Sequence, residues 1–487
     1  MAIETPTRTS TGGRLAYTDL RDWLKHVDAM GQLKFVNGAN TEEDIGQATD
    51  VLHHTAGSPA VLFDNIPGYQ PGYRVLVNPF NTHPRIAFSV GVPHDVPTSV
   101  QQEHWRQRLH AFQPLAHVEV SDGPVMENIM RGDDVDLTKF PAPKWHPNDG
   151  GRYIGTGSFD VTRDPDDGWV NCGTYRVMLH NAKQVGYYIS PGKHGRIHRQ
   201  KWFDRNEPCP VVMVLGSHPL MFLAACTEIP YGLTEYDWVG GIAGEPVKTI
   251  KGPITGLPFP ADAEIVLEGF ASNATRLPEG PFGEWTGYYA SDIRPEPVLD
   301  VKAVYHRNDP ILLGLPPNKP VDEQARYRAW LRSALLFDDI QKAGVPDVQG
   351  VWAHEVGGSR LFLAVSIKQR YAGHARQAGH IAAMCHAGAY LGRIVVVVDE
   401  DIDPTNLEDV MWAVCTRSDP ERSIDLIKRA WSGPLDPAIH PDQKGFNSRL
   451  IIDACRPFEW KDKFPPVCNL NAEQQRVARE RWGWLVQ

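Results

Sequence analysis

The pattern of apolar residues changes twice along this chain of 487 residues, and this change constrains the fold more than any other feature of the sequence. Helix and strand signals alternate in the first part, short β-type runs fill residues 152–308, and the alternation returns from residue 322. Glycine, proline, asparagine and aspartate separate the middle runs, a pattern typical of a barrel or sandwich. The apolar run 394–398 is typical of a central parallel strand. The sequence therefore predicts an α/β fold with a β-rich centre.

The chain is too long for a single hydrophobic core, so we expect two or three domains. The proline-rich stretch 139–151 indicates the first joint between them. We predict helices over 19–31, 41–54, 97–113, 196–206, 322–344, 371–391 and 406–416, and a buried strand over 220–226. The predicted parts are a flexible tail (1–15), an N-terminal α/β domain (16–138), a β-rich domain (139–310), a C-terminal α/β domain (311–470) and a last helix (471–487) that docks on a partner subunit or on the same chain.

The composition argues against several classes of protein. The formal net charge is −10, from 49 basic and 59 acidic residues, whereas a nucleic-acid binder carries a basic surface. No segment reaches the roughly 20 apolar residues of a membrane helix, and the first residues lack the apolar core of a signal peptide. The seven cysteines include no CxxC pair, which favours a reducing compartment. We therefore expect a cytoplasmic protein without a thiolate zinc site and without nucleic-acid or membrane partners.

The segment EGPFGEWTGYY, residues 279–289, places two glutamates five positions apart in an otherwise apolar and aromatic stretch. The Gly-Pro-Phe-Gly between Glu279 and Glu284 allows a tight turn that aims both carboxylates into one cavity. Two neighbouring carboxylates move each other's pKa apart, which leaves one as a proton donor near neutrality. A solvated turn with two unrelated acids is the alternative.

Arg176 lies inside the apolar run TYRVML, so it must be paired or face a polar cavity. It is either one partner of a structural salt bridge or a clamp for a substrate carboxylate, which matches the guanidinium fork. Asn171, five residues earlier, points to the opposite face of an ideal strand. If both residues line one site, we expect a bulge or bend between them, at Gly173.

Asn171, His194 and Glu235 are competent ligands for Mn²⁺ or Mg²⁺, but they lie on three separate segments. Each also has an ordinary structural explanation, as a turn cap, a loop histidine and an acid at a helix start. His194 and His198 have the i, i+4 spacing of a helical zinc pair, but the HExxH form is absent. The sequence therefore does not favour a zinc hydrolase.

Taken together, these segments resemble the UbiD family of reversible decarboxylases, which use prenylated FMN (prFMN). The resemblance covers nearly the whole chain, and the motifs are specific as a set. They are N-x4-R at Asn171 and Arg176, PGKH at 191–194, TE at 234–235, EGPFGE at 279–284 and VDEDIDPTNLEDVMWAVCTR at 398–417. The resemblance implies an N-terminal α/β unit, a flavin-reductase-like split β-barrel and a C-terminal α/β dimerisation domain. It places the active site between the barrel and the C-terminal domain, which close over it.

The resemblance also implies roles for individual residues. Arg176 would orient the substrate carboxylate, Glu284 would donate the proton, and Glu279 would hold Arg176 and tune Glu284. Ala225 is a departure, because relatives with serine there can offer a monovalent ion a hydroxyl oxygen. The implied ligands are Asn171, His194 and Glu235 for Mn²⁺ bridging to the cofactor phosphate, the backbone of Ala224, Ala225 and Thr227 for K⁺, and Ala225, Cys226 and Arg393 for the cofactor, with Arg393 at the phosphate.

The implied activity is decarboxylation of an aromatic, heteroaromatic or α,β-unsaturated acid, with CO₂ as product. The implied partners are a flavin prenyltransferase that supplies the cofactor and a second copy of the chain, with a hexamer as the alternative to a homodimer. Three other interpretations stay open: a glycoside hydrolase that uses Glu279 and Glu284, a non-catalytic flavin-binding protein, and carboxylation as the physiological direction.

Overall fold

The computed structural model of the chain describes residues 13–227, 229–289, 292–433 and 435–486. An α/β unit is followed by a unit of mainly antiparallel strands and by a second α/β unit. The predicted α/β class is therefore confirmed. Residues 1–12 of the predicted tail lie outside the described residues, whereas Leu15 is buried in the core.

The N-terminal unit has a sheet of three strands, to which residues 311–314 add a fourth. The first helix begins after Asp19, whose carboxylate accepts the N–H of Asp22. Its predicted apolar face, which includes Trp23 and Val27, is buried. The elements are α1 (Leu20–Ala29), β1 (Leu33–Asn37), α2 (Asp44–His53), β2 (Ala60–Asp64), β3 (Arg74–Val77), α3 (His83–Ser89) and α4 (Thr98–Ala111).

The middle unit carries the β-rich pattern. Its elements are β4 (Val118–Glu119), β5 (Asn128–Arg131), β6 (Tyr153–Gly155), β7 (Ser158–Arg163), β8 (Val170–Gly173), β9 (Val177–Met178), β10 (Gln184–Gly186), α5 (His194–Asp204), β11 (Cys209–Leu215), α6 (Pro219–Ala225), α7 (Glu235–Ala243), β12 (Lys248–Lys251), β13 (Pro258–Pro260), β14 (Ile265–Glu279), β15 (Arg294–His306) and β16 (Ile311–Gly314).

The main sheet of this unit has the strand order β10-β15-β14-β11-β7-β8, with β5 also paired to β15. Strand β11 is buried along its whole length, and alternate residues enter different cores. Val212 and Val214 pack in one cluster, whereas Val211 and Met213 pack in the other, so both faces of the sheet are covered. The strand order of the described residues is open, so the sheet is not closed into a barrel.

Residues 220–226 were predicted to form a buried strand, and this prediction was wrong. Residues 220–225 belong to helix α6, which begins with Pro219 after the cap His218, and Cys226 is its C-cap. A short apolar run does not distinguish a buried strand from a buried helix, and every residue of α6 is buried. The His218 ring nitrogen accepts the Leu220 N–H at 3.2 Å, which supports the helix start.

The C-terminal unit is a second sheet with helices packed against it. Its elements are α8 (Glu323–Lys342), β17 (Val348–Ala353), β18 (Phe362–Ile367), α9 (His374–Met384), α10 (His386–Ala389), β19 (Ile394–Asp399), α11 (Leu407–Arg417), β20 (Ile424–Trp431), β21 (Phe446–Ala454) and α12 (Ala472–Trp482). The strand order is β17-β18-β19-β21-β20. The predicted central strand is confirmed, because β19 pairs in parallel with neighbours on both sides. The predicted helix over 371–391 is divided at Cys385.

All seven cysteines lie within the described residues, and each is a free thiol. Over the same ranges, none of the helices combines the length and apolar character needed to span a membrane. The last predicted helix is present as α12, and the apolar side chains of Val477 and Trp482 on it are exposed.

Candidate active site

The two glutamates of the EGPFGE segment lie at the tip of the hairpin formed by β14 and β15. Glu279 ends β14, and Gly280 follows it with a φ of 87°, a left-handed conformation that suits glycine. After the turn, the Glu284 N–H donates to the Tyr288 carbonyl oxygen at 3.1 Å. The strand thus holds the first carboxylate, and the turn presents the second.

Arg176 binds both glutamates. Its Nε and Nη2 groups donate to the two carboxylate oxygens of Glu279 at 2.8 and 2.9 Å, a bidentate pair. Its Nη1 group donates to Glu284 Oε1 at 2.5 Å. The structure therefore brings together the three residues that the sequence grouped, and it excludes a solvated turn with two unrelated acids.

Burial governs the protonation of this cluster. The exposed fractions of the side chains are 8% for Arg176, 1% for Glu279 and 14% for Glu284. Burial raises the pKa of Glu284 above its ordinary value; the charge of Arg176 opposes this shift, and the carboxylate of Glu279 adds to it. Burial lowers the pKa of Arg176, but its bond to Glu279 and the two carboxylates outweigh burial and raise it. Arg176 stays charged, and burial favours the protonated form of Glu284.

Aromatic side chains surround the guanidinium. The Tyr188 ring centre lies 4.5 Å from Arg176 Cζ, and the Phe282 ring centre lies 5.6 Å from it. Tyr153 donates its hydroxyl to Glu279 Oε1 at 3.1 Å. Burial, with the negative charge of Glu279, raises the pKa of Tyr153, which therefore remains a neutral donor. The sequence analysis missed Tyr153, because it lies 126 positions from Glu279 and no motif joins the two.

The predicted break between Asn171 and Arg176 is present. Strand β8 ends at Gly173, and the next strand, β9, pairs with β6 in a different sheet. A Cβ atom at Gly173 would overlap the Tyr175 hydroxyl, so this position requires glycine. The change of sheet removes the strict alternation that would direct the two side chains to opposite faces.

Two of the three predicted Mn²⁺ ligands are in contact, and the third lies beside them. His194, the first residue of α5, has its Nδ1 atom 3.2 Å from Asn171 Oδ1. Glu235, the first residue of α7, accepts the backbone N–H of Cys172 at 2.7 Å. Asn171 and Cys172 are neighbours on β8, so one strand and two helix starts bring the three side chains together.

The chemistry of these donors fits a divalent ion. Burial raises the pKa of Glu235 to about 7, although the backbone N–H of Cys172 opposes this shift. A carboxylate whose pKa is raised by burial gains from a bound cation, and an amide, an imidazole and a carboxylate suit Mn²⁺. The described residues contain no group of three His, Cys, Asp or Glu that could hold a metal, so an all-acidic or thiolate site is absent there.

The alternative zinc pair of His194 and His198 is not formed. The His198 Nδ1 atom lies 3.0 Å from the Thr162 hydroxyl, and its Nε2 atom lies 3.7 Å from Asp164. Burial lowers the pKa of His198 to about 4, and the charge of Asp164 opposes this shift. His198 is a core residue that faces β7.

The residues predicted to hold K⁺ lie at the end of α6. The Ala224 carbonyl accepts the N–H of Thr227 at 2.9 Å, and Ala225 is the last residue of the helix. Carbonyl groups at a helix C-terminus carry partial negative charge and favour a cation. Cys226 Sγ lies 3.8 Å from both the Thr174 and Tyr327 hydroxyls.

Arg393, predicted to contact a phosphate, is paired within the C-terminal unit. Its Nη2 group donates to the carboxylate of Asp436, which is fully buried, whereas the Arg393 side chain is 29% exposed. The pairing leaves other N–H groups of this guanidinium for a ligand. A phosphate contact is therefore compatible with the observed pairing.

Trp285 connects the glutamate turn to the C-terminal unit. It is buried, and it packs against Gly358, where a Cβ atom would overlap its ring. The Arg360 guanidinium lies 5.5 Å from the Trp285 ring centre. The glutamate turn thus contacts both the middle and the C-terminal units.

Family models cover most of the chain. Residues 24–101 match the 3-octaprenyl-4-hydroxybenzoate carboxy-lyase N-terminal domain, residues 116–320 match the Rift-related domain, and residues 327–454 match the C-terminal domain. The chain belongs to the UbiD family. The matches confirm the resemblance seen in the sequence, and they identify this UbiD-family chain as a carboxy-lyase.

Curated relatives of this UbiD-family chain are full-length matches. It is 33% identical over 450 residues to a phenolic acid decarboxylase of Bacillus subtilis, with 91% of this chain and 93% of the relative covered. It is 34% identical over 459 residues to a pyrrole-2-carboxylic acid decarboxylase of Pseudomonas aeruginosa, with 90% and 91% covered.

Solved structures agree with this assignment. The UbiD-class enzyme HmfF from Pelotomaculum thermopropionicum, in complex with FMN, has a TM-score of 0.85 and 28% identity, with 95% of this chain and 99% of that chain covered. An evolved dimeric form of HmfF in complex with prFMN has a TM-score of 0.80 and 27% identity, with 94% and 98% covered.

Proposed function

We propose that this chain catalyses the reversible, non-oxidative decarboxylation of an aromatic or heteroaromatic carboxylic acid with prFMN. The observation that carries the proposal is the guanidinium of Arg176 held between two buried glutamates. The reaction breaks the bond between the ring carbon and the carboxylate, releases CO₂ and forms a C–H bond with one proton. The family's relatives that act on phenolic acids and pyrrole-2-carboxylic acid support this substrate class.

Arg176 is suited to bind the substrate carboxylate. Of its five N–H groups, three donate to Glu279 and Glu284. One N–H group on Nη1 and one on Nη2 lie outside these contacts. These groups can donate to a substrate carboxylate, while Glu279 keeps the side chain in place.

Glu284 is suited to deliver the proton. A general acid must hold its proton near the working pH and then transfer it, and burial raises the pKa of Glu284 toward that range. The carboxylate of Glu279 favours the protonated form of Glu284. After transfer, the negative charge on Glu284 is compensated by the Nη1 group of Arg176.

Bound prFMN supplies the electron sink that makes loss of CO₂ from an sp² carbon possible. We propose that Asn171, His194 and Glu235 would hold Mn²⁺ and that Arg393 would contact the cofactor phosphate. Carbonyl groups of Ala224, Ala225 and Thr227 would hold K⁺, and Ala225 and Cys226 would border the cofactor. The proposed arrangement assigns most of the cofactor binding to the middle unit, while the C-terminal unit contributes Arg393 and covers the site from solvent.

We further propose a cytoplasmic homodimer that receives its cofactor from a flavin prenyltransferase. Seven free thiols are consistent with a reducing compartment. The domain assignment stays as predicted, with the cofactor domain over 139–310 and the dimerisation domain over 311–470.

The geometry argues against a glycoside hydrolase. Such an enzyme uses one carboxylate as a nucleophile or base and the other as an acid. Both oxygens of Glu279 instead accept N–H groups from Arg176, and Oε1 also accepts the Tyr153 hydroxyl. A carboxylate with both oxygens engaged is a poor nucleophile.

The test compares protein produced with and without a co-expressed flavin prenyltransferase. We expect a prFMN mass and CO₂ release from an aryl or heteroaryl acid only in the first preparation. Glu284→Gln should retain the cofactor and lose about 10²–10⁴-fold in kcat, the usual contribution of a general acid. Full activity in that variant would refute the proton-donor assignment, and absence of flavin from both preparations would refute the cofactor.

A further inference from the structure

The segment HPNDG, residues 146–150, holds the glutamate turn through backbone contacts. The Gly150 N–H donates to the Pro281 carbonyl at 2.8 Å. The Asn148 N–H donates to the Tyr289 hydroxyl at 3.2 Å. These two contacts lie on either side of Glu284 in the sequence, so the segment supports the turn at both ends.

The contact between the two segments leaves little free space. A Cβ atom at Gly150 would overlap the Gly280 carbonyl oxygen, and one at Gly283 would lie 2.8 Å from the His146 ring. The His146 ring also meets Phe282 edge-on, with 5.8 Å between the ring centres. A displacement of the HPNDG segment therefore moves the turn.

The carboxylate of Asp149 binds both the glutamate turn and another residue of its own HPNDG segment. Its Oδ1 atom accepts the Gly283 N–H at 3.2 Å, next to Glu284 in the chain. Its Oδ2 atom accepts the backbone N–H of His146 at 2.9 Å and faces the His146 Nδ1 atom at 3.0 Å. The side chain of Asp149 is completely buried, so these donors replace water.

Both ring nitrogens of His146 face oxygen atoms, an arrangement that favours the protonated ring. Its Nε2 atom lies 2.9 Å from Asn318 Oδ1, which accepts, while Asn318 Nδ2 donates to His53 Nδ1 at 2.9 Å. Nδ1 of His146 donates to the Asp149 carboxylate at the other end of the ring. Burial lowers the pKa of His146, but the bonds and charge of Asp149 outweigh burial and raise it.

The polar chain continues into the N-terminal unit. His53 Nε2 lies 3.3 Å from Glu323 Oε2, and both side chains are buried. A buried carboxylate therefore stands at each end of the chain, which runs through His53, Asn318 and His146. This chain anchors the HPNDG segment to α2 and to the start of α8, and both elements lie outside the main sheet.

We propose that the His146–Asp149 ion pair is a positioning pair that aligns the Glu284 turn for proton delivery. The inference rests on the proposed function, because it takes Glu284 as the proton donor. The pair touches the turn at Gly283 and Phe282, and it acts on the reaction only through Glu284. Misplacing a catalytic group by about 1 Å can cost 10²-fold in rate, so a modest shift of this turn is enough to be measured.

The experiment uses the cofactor-loaded enzyme and compares His146→Gln, Asp149→Asn and the double variant. Each single variant should lower kcat by about 10- to 100-fold with unchanged KM and flavin content. The solvent deuterium isotope effect on kcat should rise, because proton delivery becomes slower relative to the other steps. The double variant should lose no more than the worse single variant, because the two residues act as one unit.

A matched control exists in the same chain. His117 uses its backbone N–H and its Nδ1 atom to bind Asp237 Oδ1 at 3.0 and 2.8 Å, which is the local geometry of His146 and Asp149. His117→Gln should leave kcat and the isotope effect unchanged. Tyr289→Phe removes the hydroxyl that accepts the Asn148 N–H, from a ring that is 40% exposed. This variant tests the support of the turn by the HPNDG segment if the buried variants do not fold. It should give a smaller loss of kcat, and the isotope effect should change in the same direction as in the buried variants.

The outcomes separate this inference from the proposed function. Inactive Glu284→Gln together with full kcat in the His146 and Asp149 variants would overturn the positioning role alone. Multiplied losses in the double variant, or an unchanged isotope effect, would also overturn it. A fully active Glu284→Gln variant would overturn the donor assignment and this inference with it.

Discussion

Replacing Glu279 by glutamine tests how the arginine and the two glutamates share their charge. Glu279 is 1% exposed and accepts two N–H groups of Arg176 and the hydroxyl of Tyr153. The glutamine amide keeps the shape of the side chain and removes its negative charge. It also places an NH₂ group opposite a group that donates to Glu279 in the wild type. Breaking a buried pair costs about 3–5 kcal/mol. If this cost falls on the transition state, kcat decreases by about 10²–10⁴-fold.

The dependence of kcat on pH tests the same substitution, and the direction of its change follows from the pKa of Glu284. The charge of Glu279 is one of the causes that raise the pKa of Glu284, so its removal lowers that pKa. A general acid is active below its pKa, and kcat falls as the pH rises through it. In Glu279→Gln, the basic limb of the kcat profile should therefore move to lower pH.

The assay follows CO₂ release by loaded enzyme across pH, with flavin content measured in every sample. Glu268→Gln is a suitable control, because Glu268 is also buried on β14 and accepts a tyrosine hydroxyl, that of Tyr305, at 2.7 Å. This control should lose stability without moving the limb. A limb that stays in place or moves to higher pH in Glu279→Gln would refute the coupling of the two glutamates.

Three further predictions concern the divalent site, the sheet and the contact between units. Glu235→Gln removes the carboxylate of the proposed site and should lose Mn²⁺ on dialysis, as elemental analysis would show; full retention contradicts the assignment. Neither oxygen of Asp160 has a hydrogen-bond partner within the described residues, and burial raises its pKa, so stability falls as the pH rises above about 4. In urea titrations at several pH values, the free energy of unfolding of Asp160→Asn should fall less steeply with pH than that of the wild type. An equal dependence on pH counts against this explanation. Gly358→Ala meets the Trp285 ring at a φ of 59° and should cost at least about 1 kcal/mol in urea unfolding and lower kcat; wild-type values for both contradict the contact.

Local patterns were sufficient for much of the fold. The face of α1 that includes Trp23 and Val27 was predicted from spacing alone, and β19 was predicted from its unbroken apolar run. The run 220–226 failed because burial on all sides removes periodicity, and periodicity is what distinguishes a helix from a strand. The start of this helix depends on Pro219 and on the cap His218, which precede the apolar run.

The site was predictable only where a motif carries it. Glu279 and Glu284 share one short segment, Arg176 is conspicuous as a charged residue in an apolar run, and the family resemblance joins the three. Tyr153 and Asp149 could not be found in this way, because their contacts with the turn span 126 and 134 positions. Such contacts arise from the course of the chain in space, which no local pattern records.

The hairpin of β14 and β15 fixes the two ends of the turn through its backbone pairing, whichever residues lie between those ends. Backbone pairing between the strands continues to Glu279 and Arg294, so the ends of segment 280–293 are set by the ladder. An exchange of the segment between relatives therefore has defined grafting points at the two strand ends, with Arg176 kept from the recipient and the HPNDG segment transferred together with the turn. Such chimeras would show whether the donor acid and the substrate pocket are inherited as separate modules.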